Sequence, residues 1–369
     1  MRIGFDAKRY FHNKTGLGNY SRDLVRMVAN RFPTDEYWLY NLKPTSKVIP
    51  LPTSAKERRP DTWFFTRFYA LWRFWYLSRL VIKDRIDIYH GLSGEIPMGM
   101  TKSTKIVVTI HDLIFKRYPH YYTVFDRYMH AFKFWYAVRK ADVVVTISEQ
   151  TKADLLQFIP IKPKRVEVVY QGCSAVFKHH QTQNEKEAVR QKFNLPDTFL
   201  LNVGTIETRK NILTVIKSLE QLPYHLVVVG KKTPYFTNEI APYLAERPEL
   251  SARIHFLKNV QMSELAALYQ QAALFVYPSV FEGFGIPIIE ALFSGTPVIT
   301  NREGCFPEAA GPHSVLVNVH SVTEMAQHID QLMQQPEQRA QMSQHGLIYA
   351  QRFTDELLAQ QWHDLYSSL

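Results

Sequence analysis

The sequence predicts an α/β protein made of two doubly wound parallel sheets, and three observations carry that prediction. Short β-branched runs alternate with helical patterns along most of the chain, the order that produces parallel βαβ units. The rhythm breaks once, at the polar passage HHQTQNEKEAVRQKFNLPD at about 179–197, and then starts again. A chain of 369 residues also suits two domains better than one. The expected organisation is a first domain over 1–178, a second over 179–352, and a closing helix over 353–369 that packs back on the first. Ligand crevices of open α/β sheets lie at the carboxyl ends of the strands, so a central cleft between the two domains is the expected active site.

In chain order, MRIGFD reads as a buried strand. It leads through the Gly-containing loop KRYFHNKTGLGNY into the helical pattern SRDLVRMVANRF. EYWLYNL is the next strand, and a Pro- and Lys-containing loop fills 43–60. WFFTRFYALWRFWYLSRLV then places aromatics at helical spacing with Arg67, Arg73 and Arg79 among them. IDIYHG, KIVVTIHD, DVVVTIS and RVEVVYQG supply further strands, separated by helical patterns at 122–140 and 148–157. Beyond the break, TFLLNVG, YHLVVVG, RIHFL, ALFVYPS and PVIT are strands, with helices at about 209–220, 237–247, 262–270 and 286–294. The chain from 322 onward reads as helical, ending in TDELLAQQWHDLYSSL, whose apolar face needs a surface to cover.

Net charge is +10, unevenly spread. Residues 1–180 hold 30 Lys and Arg against 15 Asp and Glu, and the remainder holds 14 against 19. An anionic partner for the first half is implied. The aromatic-basic stretches 63–83 and 133–140 fit either core-facing helices with snorkelling cations or contact with an anionic membrane surface. The basic residues form no recognisable nucleic-acid-binding motif, so no nucleic acid is expected, although a basic nucleic-acid-binding protein stands as the alternative of another class. Two cysteines without a Cys-x-x-Cys pair, no apolar leader and no run long enough to cross a bilayer give a cytoplasmic expectation, with at most peripheral contact on the inner face of the membrane.

The richest chemistry lies in FEGFGIPIIEALFSGTPVIT at 281–300. Gly283 and Gly285 permit positive φ, Pro287 suits the first helical position, and a helix is expected to begin near Gly285. Amides at such a start bind phosphate or sugar oxygens. Glu282 and Glu290 flank it as acceptors suited to hydroxyls, so a ligand carrying both phosphate and hydroxyls, such as a nucleotide sugar, meets both demands. Taken singly, either glutamate is more ordinary as a solvated loop or surface group. After TFLLNVG come Gly204 and Thr205, then Arg209 and Lys210 where strand hands over to helix, cations able to oppose a diphosphate. An Arg-Lys pair alone is usually solvated. His111 follows KIVVTI at the end of an expected central strand, where ligand-binding side chains collect. Gly16 and Gly18 in TGLGNY fail the dinucleotide fingerprint, since Ser21 stands at the third glycine position. No Asp-x-Asp occurs, and no catalytic metal is expected.

The Glu282-to-Glu290 stretch, with its Glu-Gly-Phe-Gly opening and Ser-Gly-Thr-Pro-Val close, resembles the Glu-x7-Glu signature of family 4 retaining glycosyltransferases of the GT-B fold. The likeness extends to Gly16–Tyr20, the His-Asp-Leu at 111, VTISE at 145, Arg209-Lys210 and Pro307-Glu308. VGTIETRKN and LVVVGKK look most like bacterial enzymes of surface-polysaccharide synthesis, of mannosyl- or rhamnosyltransferase type. The resemblance implies a nucleotide diphosphate sugar such as GDP-mannose as donor substrate, with no further cofactor. It implies a glycan or lipid-linked glycan as acceptor. It assigns His111 and Glu282 to the donor sugar, Arg209 and Lys210 to the diphosphate, and Glu290 to the ribose. The amides of Phe284, Gly285 and Ile286 are assigned to diphosphate and sugar, and Gly16, Gly18, Gly204 and Thr205 to the walls of the donor site. Similar enzymes use front-face attack, the departing phosphate oxygen taking the acceptor proton. A nucleotide-sugar epimerase of the same fold is the enzymatic alternative.

Overall fold

The computed structural model describes residues 1–13, 16–45, 49–159 and 164–369. Parts of two expected loops, at 14–15 and 46–48, lie outside the described residues. The chain divides into one unit of Met1–Gly172 with Phe353–Leu369, and another of Cys173–Arg352. Residues 173–178, expected in the first domain, thus belong to the second. The reason is packing: Phe177 is fully buried, edge-on to Tyr269 with ring centroids 5.6 Å apart.

The first unit holds β1 (Arg2–Asp6), β2 (Glu36–Tyr40), β3 (Ala55–Arg58), β4 (Ile88–Gly91), β5 (Lys105–Ile110), β6 (Val143–Thr146) and β7 (Val166–Val168). They form one parallel sheet in the order β3-β2-β1-β4-β5-β6-β7. Runs such as VVVT in β6 are buried at every position, as strands covered on both faces must be. β3 is a correction to the expected loop at 43–60. Its sequence, AKER, has no apolar alternation because it is an edge strand paired on one side only, with Tyr37 facing Ala55.

The helix Asp355–Ser367 completes this unit. It packs on the helix Gly16–Arg31 and buries Leu358, Ala359, Trp362 and Tyr366. Arg26 reaches Asp355 at 2.6 Å, and the Tyr366 hydroxyl meets His90 Nδ1 at 2.8 Å. Gly16 and Gly18 open the helix Gly16–Arg31 rather than a loop, a second correction. Gly18 is required by close approach, since a Cβ there would meet the Asn13 carbonyl oxygen at 1.9 Å.

The aromatic stretch at 63–83 folds as consecutive short helical pieces, Trp63–Arg67, Tyr69–Leu71, Trp72–Tyr76 and Leu77–Lys83. Only its second half enters the core, through Trp72, Leu77, Leu80 and Val81. Arg73, expected among the surface cations, is buried instead. Its Nη2 lies 2.6 Å from Asp6, and its Nη1 pairs with Glu95, which also takes Lys133 at 3.0 Å. Burial opposes ionisation of Glu95, but these cations outweigh it and hold the carboxyl at about 2.

The second unit holds β8 (Phe199–Val203), β9 (His225–Val229), β10 (Ile254–Leu257), β11 (Leu274–Tyr277), β12 (Val298–Asn301) and β13 (Val315–Val317). Their order is β10-β9-β8-β11-β12-β13, all parallel. The sequence reading omitted β13, three residues at the sheet edge. This order runs outward one way from β8 through β9 and the other way from β11 through β12, so β8 and β11 flank the switch point, the place at the strands' carboxyl ends where open α/β sheets take their ligands.

Candidate active site

The segments that directly follow β8 and β11 meet at that switch point. The two strands are tied side to side by the Asn202 amide, which donates to the Val276 carbonyl at 2.8 Å. After β8, a 3-10 turn at Thr208–Lys210 ends in Asn211 at φ 54°, a left-handed conformation that asparagine tolerates. The turn projects Arg209 and Lys210 toward the segment after β11. The Val280 amide donates to the Arg209 carbonyl at 2.9 Å and locks the two segments together.

Glu282 receives both cations. Lys210 Nζ lies 2.5 Å and Arg209 Nη1 2.9 Å from its Oε1, and the Tyr277 hydroxyl donates to the same oxygen at 3.1 Å. Lys210 also donates to the Tyr277 hydroxyl at 2.8 Å, while Arg209 Nη2 reaches Glu207 at 2.7 Å. The Lys210 and Glu282 side chains are only 16% and 14% exposed. Burial alone would raise the Glu282 carboxyl, yet Lys210 and then Arg209 pull it down to about 2. The same attraction outweighs burial at Lys210 and Arg209 and raises both above their ordinary values. All three groups are therefore charged across the neutral range.

The loop after Glu282 enters the helix Ile286–Phe293 through Gly285 at φ 118°. That φ is open to glycine and strained for any other residue. Pro287 stands second in the helix, and the Ile288 amide of the first turn donates to the Gly285 carbonyl at 2.9 Å. The buried Cys305 thiol fixes the loop from behind, donating to the carbonyls of Phe284 at 3.0 Å and Glu282 at 3.3 Å. Glu290, one turn on, accepts from the buried Tyr269 hydroxyl at 2.9 Å. Tyr277, Tyr269 and Cys305 are the site residues that sequence reasoning missed. For Tyr277 the signal was present: it closes ALFVYPS at a strand's carboxyl end.

The structure brings together Arg209, Lys210, Glu282, Gly204 and the Phe284–Ile286 segment. Gly204 lies against Lys210, a Cβ there being 3.7 Å from its Cδ. Thr205 is exposed. His111, Gly16 and Gly18 belong to the other unit. His111 follows β5 as expected, and its Nε2–H donates to the Leu92 carbonyl at 2.8 Å, which leaves Nδ1 to accept from the Gln171 amide at 3.1 Å. Burial lowers its pKa to about 4, so the ring is neutral near pH 7. It stands edge-on to Tyr20 at 4.5 Å and lines a recess with Arg9, Asp112, Phe115 and His130. Among the described residues, no group of three or more His, Cys, Asp or Glu side chains is placed to hold a metal ion.

Two family models divide the chain between them. Residues 17–175 match Glycosyltransferase Family 4, and residues 183–347 match Glycosyl transferases group 1. The chain is a family 4 glycosyltransferase. This glycosyltransferase is 26% identical over the whole of both chains to the O-antigen chain mannosyltransferase B of Escherichia coli. Its fold is that of solved structures at lower identity. Sucrose-phosphate synthase of Thermosynechococcus elongatus superposes with a TM-score of 0.80 at 21% identity, covering 100% of this chain and 98% of that one. Anabaena HepE in complex with UDP-glucose superposes with a TM-score of 0.75 at 17% identity, covering all of both. The GT-B fold and the enzyme class implied by the sequence resemblance are thereby met.

Proposed function

We propose that this glycosyltransferase moves a hexose from a nucleotide diphosphate sugar to a glycan or lipid-linked glycan in the synthesis of a surface polysaccharide, with retention at the anomeric carbon. The observation that carries the reading is the buried cluster at the β8–β11 switch point. Glu282 holds Lys210 and Arg209 in fixed positions beside the amides that open the helix Ile286–Phe293. Fixed cations and helix amides are what a departing diphosphate requires, and they need no reorganisation as charge develops. Among the described residues the Glu282 contacts fall on Oε1, which leaves Oε2 to accept from sugar hydroxyls. The O-antigen mannosyltransferase relative supports a mannosyl donor, of which GDP-mannose is the first to test, and a glycan acceptor.

In the reaction, an acceptor hydroxyl oxygen bonds to the anomeric carbon on the face the donor phosphate leaves. The carbon–phosphate-oxygen bond breaks, and the hydroxyl proton passes to the departing phosphate oxygen. The neutral His111 carries no charge in this scheme, both of its ring nitrogens being bonded within the first unit. No side-chain nucleophile and no further cofactor enter the scheme, and stabilisation of the leaving group falls to Lys210, Arg209 and the amides of Phe284, Gly285 and Ile286.

The test is a thermal-shift screen of nucleotide sugars, followed by assay of nucleoside diphosphate release with and without glycan acceptors. Acceptor-dependent release, with product of the donor's anomeric configuration, is the expected result. Release of nucleoside diphosphate and free sugar epimer without acceptor would instead make the protein an epimerase.

A further inference from the structure

Two helical segments of the first unit carry their aromatic side chains outward. The helix Trp63–Arg67 and the piece Tyr69–Leu71 bury no residue at all. The helix Val124–Lys140 buries only Ala137 and Val138 of its seventeen residues. Trp63 is 80% exposed, Trp75 64%, Phe125 72% and Tyr128 74%, with Phe68 and Phe132 also outward. A helix in contact with water alone turns its apolar side to the core. Here Phe65, Phe134 and Tyr136 pack on the core, yet the rings named above remain outward. The two segments adjoin at Lys133, whose Nζ sits 6.0 Å from the centre of the Phe74 ring and pairs with Glu95 beneath. The exposed aromatics therefore flank a shared seam of one unit.

The charges around them are of one sign. Residues 63–83 contain no carboxylate, and 124–140 contain only Asp126. Arg73 and Lys133 are consumed by internal ion pairs, but Arg67, Arg79, Lys83, Arg127, Arg139 and Lys140 are exposed. Aromatic rings with Arg and Lys are the residues that settle at a bilayer interface, the rings among the headgroups and the cations over anionic lipid. Among the described residues no helix is long and apolar enough to cross a membrane, so the contact is with one surface.

We infer that the outward face formed by residues 63–75 and 124–132 docks this glycosyltransferase on an anionic lipid bilayer, with Trp63, Trp75, Phe125 and Tyr128 entering the headgroup layer and Arg67 and Arg127 pairing with lipid phosphates. The inference does not depend on which sugar is transferred. Arg73 plays no part in it, because it is bound inside the unit.

The full-length protein is sedimented with vesicles of phosphatidylglycerol mixed with phosphatidylcholine, and with vesicles of phosphatidylcholine alone. The tryptophan emission, to which the exposed Trp63 and Trp75 contribute, is followed in parallel. Salt-sensitive binding to the anionic vesicles with a blue shift is expected. The variant Arg67→Glu/Arg127→Glu should weaken binding at least roughly 30-fold, the attraction of two lost surface cations. Phe125→Ser/Tyr128→Ser should reduce both binding and the blue shift. Both variants change exposed side chains, and both should keep the wild-type melting temperature and affinity for the donor nucleotide, which separates this inference from the reading of the donor site. Wild type that ignores anionic vesicles, or variants that bind them as wild type does, would overturn it. So would variants whose only change is a smaller sedimenting mass, since the face would then join copies of this chain.

Discussion

Replacing Lys210 by alanine tests the donor site most directly. Lys210 Nζ makes two hydrogen bonds, to Glu282 at 2.5 Å and Tyr277 at 2.8 Å, and stands 5.1 Å from the centre of the Tyr277 ring. A unit charge about 4 Å from a phosphate oxygen contributes about 4 kcal/mol at an effective dielectric constant of about 20. Part of that is already engaged by Glu282, and Arg209 remains beside the same carboxylate. The net loss should be that of one charge-assisted hydrogen bond, roughly 1.5 to 3 kcal/mol, or about 10- to 150-fold in affinity. Calorimetry with a nucleoside diphosphate and with its nucleoside separates the cases. The diphosphate should weaken by that factor while the nucleoside is unchanged. Equal weakening of both would mean that the substitution had only disturbed the fold around Glu282, and no weakening of either would remove Lys210 from the phosphate site.

Four further outcomes are expected. Glu282→Ala and Glu290→Ala should keep the fold and lower kcat/KM, each by the loss of a charged hydrogen-bonding partner worth roughly 1.5 to 3 kcal/mol, and near-normal turnover in both would dismiss the assignment. Turnover should persist in EDTA; abolition by chelator with recovery on adding Mg²⁺ would show that a metal shares the leaving group. Arg73→Met should strand the Asp6 carboxylate inside the first unit, leave Glu95 with Lys133 alone and cost about 3 to 5 kcal/mol, a drop on the order of 10 °C in melting temperature. Glu95 is ionised at about 2 in the folded unit against an ordinary 4.5, burial being outweighed by Arg73 and Lys133, so its stabilisation is complete above about pH 4.5 and is lost as pH falls toward 2; melts over that range should show the loss, and Glu95→Gln should flatten it.

Much of this was legible in the sequence because parallel sheets write themselves as apolar runs. KIVVTI and YHLVVVG admit no other element of that length, and the Gly283–Gly285 turn with Pro287 fixed the helix start to within a residue. The grouping of Arg209 and Lys210 with Glu282 was only implied by resemblance, since they are joined across 72 residues by the adjacency of β8 and β11. Nothing local in a strand states its neighbour. Tyr277, Tyr269 and Cys305 escaped because each reads as core until its one polar atom is given a direction. β3 and β13 escaped because an edge strand of three or four residues has too little buried surface to impose a pattern. Arg73 was misjudged for the opposite reason: its spacing matches that of Arg67 and Arg79, and only the approach of Asp6 and Glu95 distinguishes it.

The helix Asp355–Ser367 gives the chain an order of assembly. The ribosome completes Cys173–Arg352 before it has made the residues that the first unit still lacks, although that unit was begun first. Until then the site for Trp362 and Tyr366 on the helix Gly16–Arg31 stays uncovered, and His90 has no phenol to meet. The nascent first unit must wait, incompletely closed, while its neighbour is already finished. A stop codon in the final turns would thus injure the half of the molecule farthest away along the gene.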